Sequence, residues 1–420
     1  MKLNYRRTFF VGLAFLSISA FWQLYDTIIP LILSDTFGLK ETVTGMVMSV
    51  DNVLALFLLP LFGAFSDRVN TRLGKRTPFI IVGTMFAVIS MVVLPIADLN
   101  RNLPLFVIAL GIVLFAMGTY RSPAVALMPD VTPKPLRSKA NAIINLMGAA
   151  GGVITLLLIK VLVKKSEHPN YSYVFWTVAA IMVLAVAVLV ATIKENKERI
   201  KEPEEKEIEI ETKKEEKLEK PIRKSLTFLL VSVSLWFIAY NAVTTAFSRY
   251  AVKVWGLEGG SFANSLLVAT VAAIISYIPI GMISSKVGRK KTILLGIIVM
   301  SVAYFCGFFF TNYSPVITLI FVFVGFGWAA INVNSYPMVV EMSRGCDVGK
   351  FTGLYYTFSM SAQIITPILS GMLLEHVSYR TLFPYALFFS MASFATMLLV
   401  KHGDVIPDKK SKLECFDVED

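Results

Sequence analysis

The stretch Gly63-Ala64-Phe65-Ser66-Asp67-Arg68-Val69-Asn70-Thr71-Arg72-Leu73-Gly74-Lys75-Arg76-Thr77-Pro78-Phe79 decides how this chain folds. It is a charged, glycine-punctuated turn set between apolar runs at about 42–65 and 78–97. A helix needs about 20 apolar residues to cross the hydrocarbon core of a bilayer, so the turn reads as a water-facing loop joining two spans. The pattern returns in the other half of the chain as Gly281-x-x-Ser284-Ser285-Lys286, then Gly288-Arg289-Lys290-Lys291, again closing an apolar run.

Working outward, apolar runs fall at about 8–34, 42–65, 78–97, 104–129, 140–163 and 171–193, then at 225–254, 262–285, 291–311, 315–341, 350–375 and 381–401. The expected organisation is a six-helix bundle (1–193), a charged linker (194–224), a second six-helix bundle (225–401) and a tail (402–420). The linker carries 11 Lys/Arg and 11 Asp/Glu and reads as a solvated segment. The repeat extends further: Trp22-x-x-Tyr25-Asp26 is loosely echoed by Trp236-x-x-x-Tyr240-Asn241, and Asp130 and Lys139 sit 211 residues before Glu341 and Lys350. The fold class is all-α membrane protein, twelve helices in two pseudo-symmetric halves around a central cavity, an alternating-access architecture.

Composition agrees. The chain of 420 residues is 55% hydrophobic and 16% charged, with mean hydropathy +0.67, where a soluble domain averages about 25% charged. A soluble enzyme, a nucleic-acid binder and a secreted disulfide scaffold are excluded. Cys306, Cys346 and Cys415 are scattered, and His168, His376 and His402 fall at or beyond helix ends, so no metal or cofactor is expected. With no Walker-type loop, transport is expected to be gradient-driven. The start reads as a first span, since Gln23 and Asp26 interrupt it and no small-residue cleavage site follows. Of the 40 Lys/Arg, 31 fall on one side of the expected topology, six on the other and three within spans. By the positive-inside rule both termini are cytoplasmic, and the net charge of +11 is a topology signal rather than a nucleic-acid footprint.

These motifs resemble the major facilitator superfamily, whose members carry a Gly-x-x-x-Asp-Arg-x-Gly-Arg-Arg signature in this loop. The four extra residues before Gly74 and the Pro78-Phe79 that follows resemble the sucrose transporters, the related glycoside–pentoside–hexuronide:cation symporters and the animal proton–sugar symporters. Ala126-Leu127-Met128-Pro129-Asp130, then Arg137 and Ala140-Asn141, resembles the end of their fourth span. The chain departs at Val125, where sucrose transporters carry arginine; Arg121 lies one turn earlier on the same face. The closer resemblance covers roughly residues 20–150, that to the superfamily the whole chain. It implies a secondary transporter in the cell (inner or plasma) membrane.

An ionisable side chain within a span is a functional candidate by default, because inserting it costs about 2.5–3.5 kcal/mol. Asp26 is the first choice for coupling ion or sugar: a carboxylate takes up a proton or accepts two sugar hydroxyls. Asp51, with Asn52, is the second, although its surroundings do not match the melibiose-type motif. Arg121 is the central cation of the first half, expected to bind sugar hydroxyls or to pair with Asp26. Trp22, Gln23, Tyr25, Tyr120, Asn145, Tyr240, Asn241, Asn332, Asn334, Tyr355, Tyr356 and Gln363 are mid-span aromatics and amides that complete a sugar site or bind helices together. Asp67, Arg68, Arg72, Gly74, Lys75 and Arg76 form the expected cytoplasmic gate, with Asp67 at a helix N-terminus and Asp130 and Glu341 as partners. Arg249, Lys253 and Lys160 are expected to snorkel to the outer interface.

The leading reading is a monomeric symporter that carries a di- or oligosaccharide such as sucrose or maltose with H+ or Na+. An exporter of drugs or other amphipathic solutes, and a sensor that keeps the fold without turnover, are the alternatives.

Overall fold

The computed structural model describes residues 3–133, 136–166, 168–198, 219–342 and 348–404. Among them, twelve helices are long and apolar enough to cross a membrane. They are α1 (Tyr5–Leu31, prolonged by a wide π-helical turn, Ile32–Thr36), α2 (Glu41–Arg68), α3 (Thr77–Leu99), α4 (Leu103–Val131), α5 (Arg137–Leu162) and α6 (Ser172–Thr192). The second half holds α7 (Lys220–Trp255), α8 (Ala263–Val287), α9 (Arg289–Phe308), α10 (Val316–Glu341), α11 (Val348–His376) and α12 (Leu382–Leu398). With an even number of crossings among the described residues, the start of α1 and the end of α12 lie at one face, the terminal face; the opposite face is the distal one.

Helix starts are written locally. Arg7 N–H donates to the Asn4 side chain and Leu105 N–H to the Asn102 side chain, each at 3.1 Å, which satisfies a first-turn donor that the helix cannot. Pro78, Pro104 and Pro221 stand in first turns, where a missing N–H costs nothing. Gly74 closes the α2–α3 loop at φ +120°, with Thr71 and Gly74 exchanging backbone hydrogen bonds at 3.2 and 3.1 Å; a side chain there would be strained.

In the first half α1 packs on α5 and α6, and α3 on α4 and α6; in the second, α7 packs on α11 and α12, and α10 on α8 and α9. The halves meet through α1–α7 and through the symmetry-related pairs α2–α11 and α5–α8. In the α2–α11 pair Gly45 faces the backbone of Pro367 and Gly371 that of Glu41, so neither position has room for a Cβ. Phe57, Val161, Ile275 and Phe388 are exposed on the outside, as a lipid-facing surface requires.

Two expectations change. α7 begins at Lys220, inside the expected linker, and Glu195–Glu198 form one helical turn in which Glu195 is buried rather than solvated. The rest of the linker, 199–218, and the tail from 405 lie outside the described residues.

Candidate transport cavity

A cavity of about 660 Å³ lies between the halves. Helical periodicity builds its walls. Along α1, Phe15, Ile18, Ser19, Trp22, Gln23 and Asp26 share one face; along α4, Arg121, Val125 and Met128; along α5, Arg137, Asn141 and Asn145. The second half supplies Thr270, Ile274 and Tyr277 from α8 and Tyr356 from α11. Arg121 and Val125 stand one turn apart on the same wall, as their spacing implied.

Asp26 and Asp51 are close enough for their charges to act on each other. Arg121 and Asp26 share the cavity, and Arg121 is near enough to Asp51 for its charge to act there. Asn52 donates to Asp51 Oδ1 at 2.9 Å. The buried Tyr25 lies near both carboxylates, its hydroxyl without a hydrogen-bond partner among the described residues. Trp22 packs edge-on against Tyr25, and Gln23 donates to Thr27 Oγ1 at 3.0 Å.

The other polar candidates make contacts within the helices and between them in this conformation. Asn334 accepts from Ser284 Oγ at 2.5 Å and donates to the Ala330 carbonyl at 2.9 Å, which ties α10 to α8. Tyr355 bonds Ser335 at 3.0 Å. Asn241 and Gln363 donate to carbonyls of their own helices, Phe237 and Ser359. Asn332 is buried in α10 and is not among the residues lining the cavity. Tyr120 lies under α1, bonded to Ser17 and donating to the Ala14 carbonyl at 3.1 Å. Tyr240 stacks on Trp328, ring centroids 3.8 Å apart.

At the terminal face Arg76 gathers the loop motif. Its Nε donates to Asp130 Oδ2 at 2.8 Å, and its Nη atoms bond Asp67 and Ser66. Burial works against its charge, but Asp130 and Asp67 more than offset that, so its pKa is raised. Lys75 Nζ donates to the Asp67 carbonyl at 3.0 Å, while Arg68 and Arg72 are exposed. The carboxylate at the N-terminus of α3 is Glu195, not Asp67. It accepts from the N–H groups of Lys75 (2.6 Å), Arg76 (3.0 Å) and Thr77 (3.0 Å) and from Thr77 Oγ1 (2.8 Å). The second half repeats the arrangement: Arg289 pairs with Glu341, and Asp404 accepts from Lys290 N–H at 2.9 Å.

The distal face carries a cluster that sequence reasoning missed. Arg249 does not snorkel. It is buried and donates to Glu41 Oε2 at 2.6 Å, with the two side chains 1% and 6% exposed, and Tyr379 bonds the same carboxylate. Around it, Lys253 pairs with Asp35 (2.7 Å), Lys40 with Glu375 (3.6 Å) and Lys165 with Glu258 (2.5 Å), while Lys160 donates to Asn264 (3.0 Å). Each joins one half to the other. The signal was an acid opening span two and an arginine closing span seven, legible only once the two helix ends meet.

The family profile of the Major Facilitator Superfamily matches residues 11–277 and 261–414. The sucrose transport protein SUC3 of Arabidopsis thaliana is 25% identical over 138 residues, 28% of this chain and 23% of that protein. Proton-associated sugar transporter A of Homo sapiens is 30% identical over 127 residues, 27% of this chain and 17% of that protein. The matched stretches thus span about a quarter or less of these relatives. The xylose transporter XylE from E. coli superposes with a TM-score of 0.66 at 14% identity over 92% of this chain and 94% of that one. A POT family transporter in complex with 5-aminolevulinic acid superposes at 0.73 and 12%, over 95% and 96%.

Proposed function

This chain belongs to the Major Facilitator Superfamily, a transporter rather than an enzyme, and from that premise we propose that it carries a sugar, coupled to protons, by alternating access. The observation that carries the reading is the cavity, where a carboxylate and a guanidinium of one half, Asp26 and Arg121, stand with Trp22, Gln23 and Asn145 across from Tyr277 and Tyr356 of the other. Amides and charged groups suit sugar hydroxyls, and aromatic faces suit the C–H face of a pyranose. The partial likeness to sucrose and proton-associated sugar transporters supports the same substrate class.

In the proposed mechanism Asp26 is the coupling carboxylate. Protonated, it frees the cavity for a neutral sugar; ionised, it competes for the same donors. Asp51 holds Arg121 in place between these states. Proton entry contributes about 2.3 kcal/mol per 100 mV for each charge, and substrate seated on both halves biases which end opens. The terminal face, richer in Lys and Arg, is proposed to be cytoplasmic in a cell (inner or plasma) membrane. The interhalf clamp at the distal face then makes this the inward-facing arrangement. The monomer is the proposed working unit, and the segment 199–218 is the proposed solvated connection between halves.

The test is uptake of labelled sucrose and maltose into proteoliposomes under an imposed pH gradient, with a sodium gradient as a parallel arm. Accumulation that a protonophore abolishes supports proton–sugar symport. Accumulation with sodium alone reassigns the coupling ion, and none with either gradient by folded protein rejects the sugar reading.

A further inference from the structure

The helix α7 is 36 residues long, about 54 Å at about 1.5 Å per residue, and the hydrocarbon core it crosses is about 30 Å thick. It therefore runs past the hydrocarbon and through the headgroup layers, so that the first turns of its terminal-face end cross the headgroup level. At the terminal face Lys220, Arg223 and Lys224 line a surface recess of about 390 Å³ with Thr227 and Phe228. The three cations are exposed, and spacings of three and four residues put them on one helix face. Lys224 Nζ stands 5.9 Å from the Phe228 ring centroid. The segment after α12 packs on the same helix end: Ser225 Oγ bonds His402 Nδ1 at 2.8 Å and accepts from the backbone N–H of Lys401 at 3.2 Å. Among the described residues of this helix, the N-cap, Glu219, is the acid at this end.

The pseudo-symmetry provides a second observation. At the start of α1, Arg6 stands over the Phe10 ring at 5.8 Å, with the same four-residue spacing as Lys224 and Phe228, and Tyr5 and Phe9 are exposed beside it. Both halves thus open with a cation held over an aromatic ring where the helix enters the bilayer. A cation there reaches a lipid phosphate while the ring rests against the first methylenes. The α7 copy adds a recess lined by three cations.

We propose that the base of α7 binds the headgroup of an anionic phospholipid, its phosphate among Lys220, Arg223 and Lys224 and an acyl chain running past Thr227 and Phe228. Clusters of Lys and Arg next to a span attract anionic lipid in this way. The site is independent of what the cavity carries.

The test uses the full-length protein in detergent, with lipid retention read by native mass spectrometry after equilibration with phosphatidylglycerol or phosphatidylcholine. The wild type is expected to retain phosphatidylglycerol preferentially, with retention falling as salt rises. Each neutralised cation is expected to weaken binding about fivefold, so that K220Q/R223Q/K224Q binds about 100-fold more weakly. The charge-preserving K220R/R223K/K224R is expected to keep the lipid, which separates charge from folding. Equal retention of the two lipids, unaltered retention by the glutamine variant, or displacement by millimolar inorganic phosphate, which would mark a plain anion site, would each overturn the proposal.

Discussion

Replacing Arg249 by Met tests whether the distal cluster is the clamp that holds the halves together. The pair with Glu41 is buried on both sides, at 2.6 Å. Removing one partner of such a pair leaves an uncompensated buried charge and costs about 3–5 kcal/mol. That cost falls on the closed distal face alone, because opening it returns Glu41 to water. The equilibrium should therefore move toward distal opening by about 10²- to 4 × 10³-fold, at about 1.4 kcal/mol per factor of ten. Spin labels at positions 165 and 258 would report it. Lys165 and Glu258 pair across the halves with side chains 78% and 50% exposed, so losing that pair costs little and does so in every background. The distance distribution should shift from short to long in Arg249→Met and return toward short in the double variant with Glu41→Gln, because removing both charges leaves no buried charge unpaired. A short distance that persists in the single variant would refute the clamp; a double variant as open as the single one would refute the charge argument.

Three further outcomes are expected. Asp26→Asn should abolish gradient-driven sugar accumulation while preserving sugar exchange across proteoliposomes; unaltered driven uptake would remove Asp26 from the coupling role. Glu195→Gln should weaken the cap on α3 by about 1–3 kcal/mol, since one amide oxygen cannot accept from four donors; amide hydrogen exchange at residues 75–77 should rise several-fold, and unchanged protection there would contradict the assignment. Asn334→Ala should lower thermal stability, at a cost of about 1–3 kcal/mol for the unpaired Ser284 hydroxyl, with the half-saturation constant for sugar unchanged; a weakened sugar affinity would restore Asn334 to the binding site.

The fold was legible because length and hydropathy suffice to find spans, and because the Gly63–Arg76 motif recurs at Gly281–Lys291. The cavity was half legible. Asp26 and Arg121 stand out because ions in spans are rare, and both line it. Asparagines do not stand out in this way, since the same side chain serves a ligand or a neighbouring helix equally well: Asn145 lines the cavity, whereas Asn334 serves Ser284. Glu195 was hidden among the linker's many acids, and nothing local distinguishes the one that bends back onto α3. Arg249 was misread because its place near a helix end suits snorkelling, and only the meeting of α2 with α7 provides the buried partner.

The asymmetry between the halves then has a physical meaning. Asp26, Asp51 and Arg121 all belong to the first half, whereas the second half presents Thr270, Ile274, Tyr277 and Tyr356 to the cavity. Under the proposed coupling, a fixed set of charges on one bundle would stay organised as the other moves relative to it, so the coupling chemistry would not be rebuilt at each stroke. The neutral wall can leave and return without stranding a buried ion, which would cost several kcal/mol. Yet a solute biases the motion only through contacts that differ between the two states. In the proposed mechanism those contacts fall on the wall that moves, so Tyr277 and Tyr356 are the proposed place where binding is converted into a change of access, and the charged residues opposite them are the proposed determinants of solute and ion.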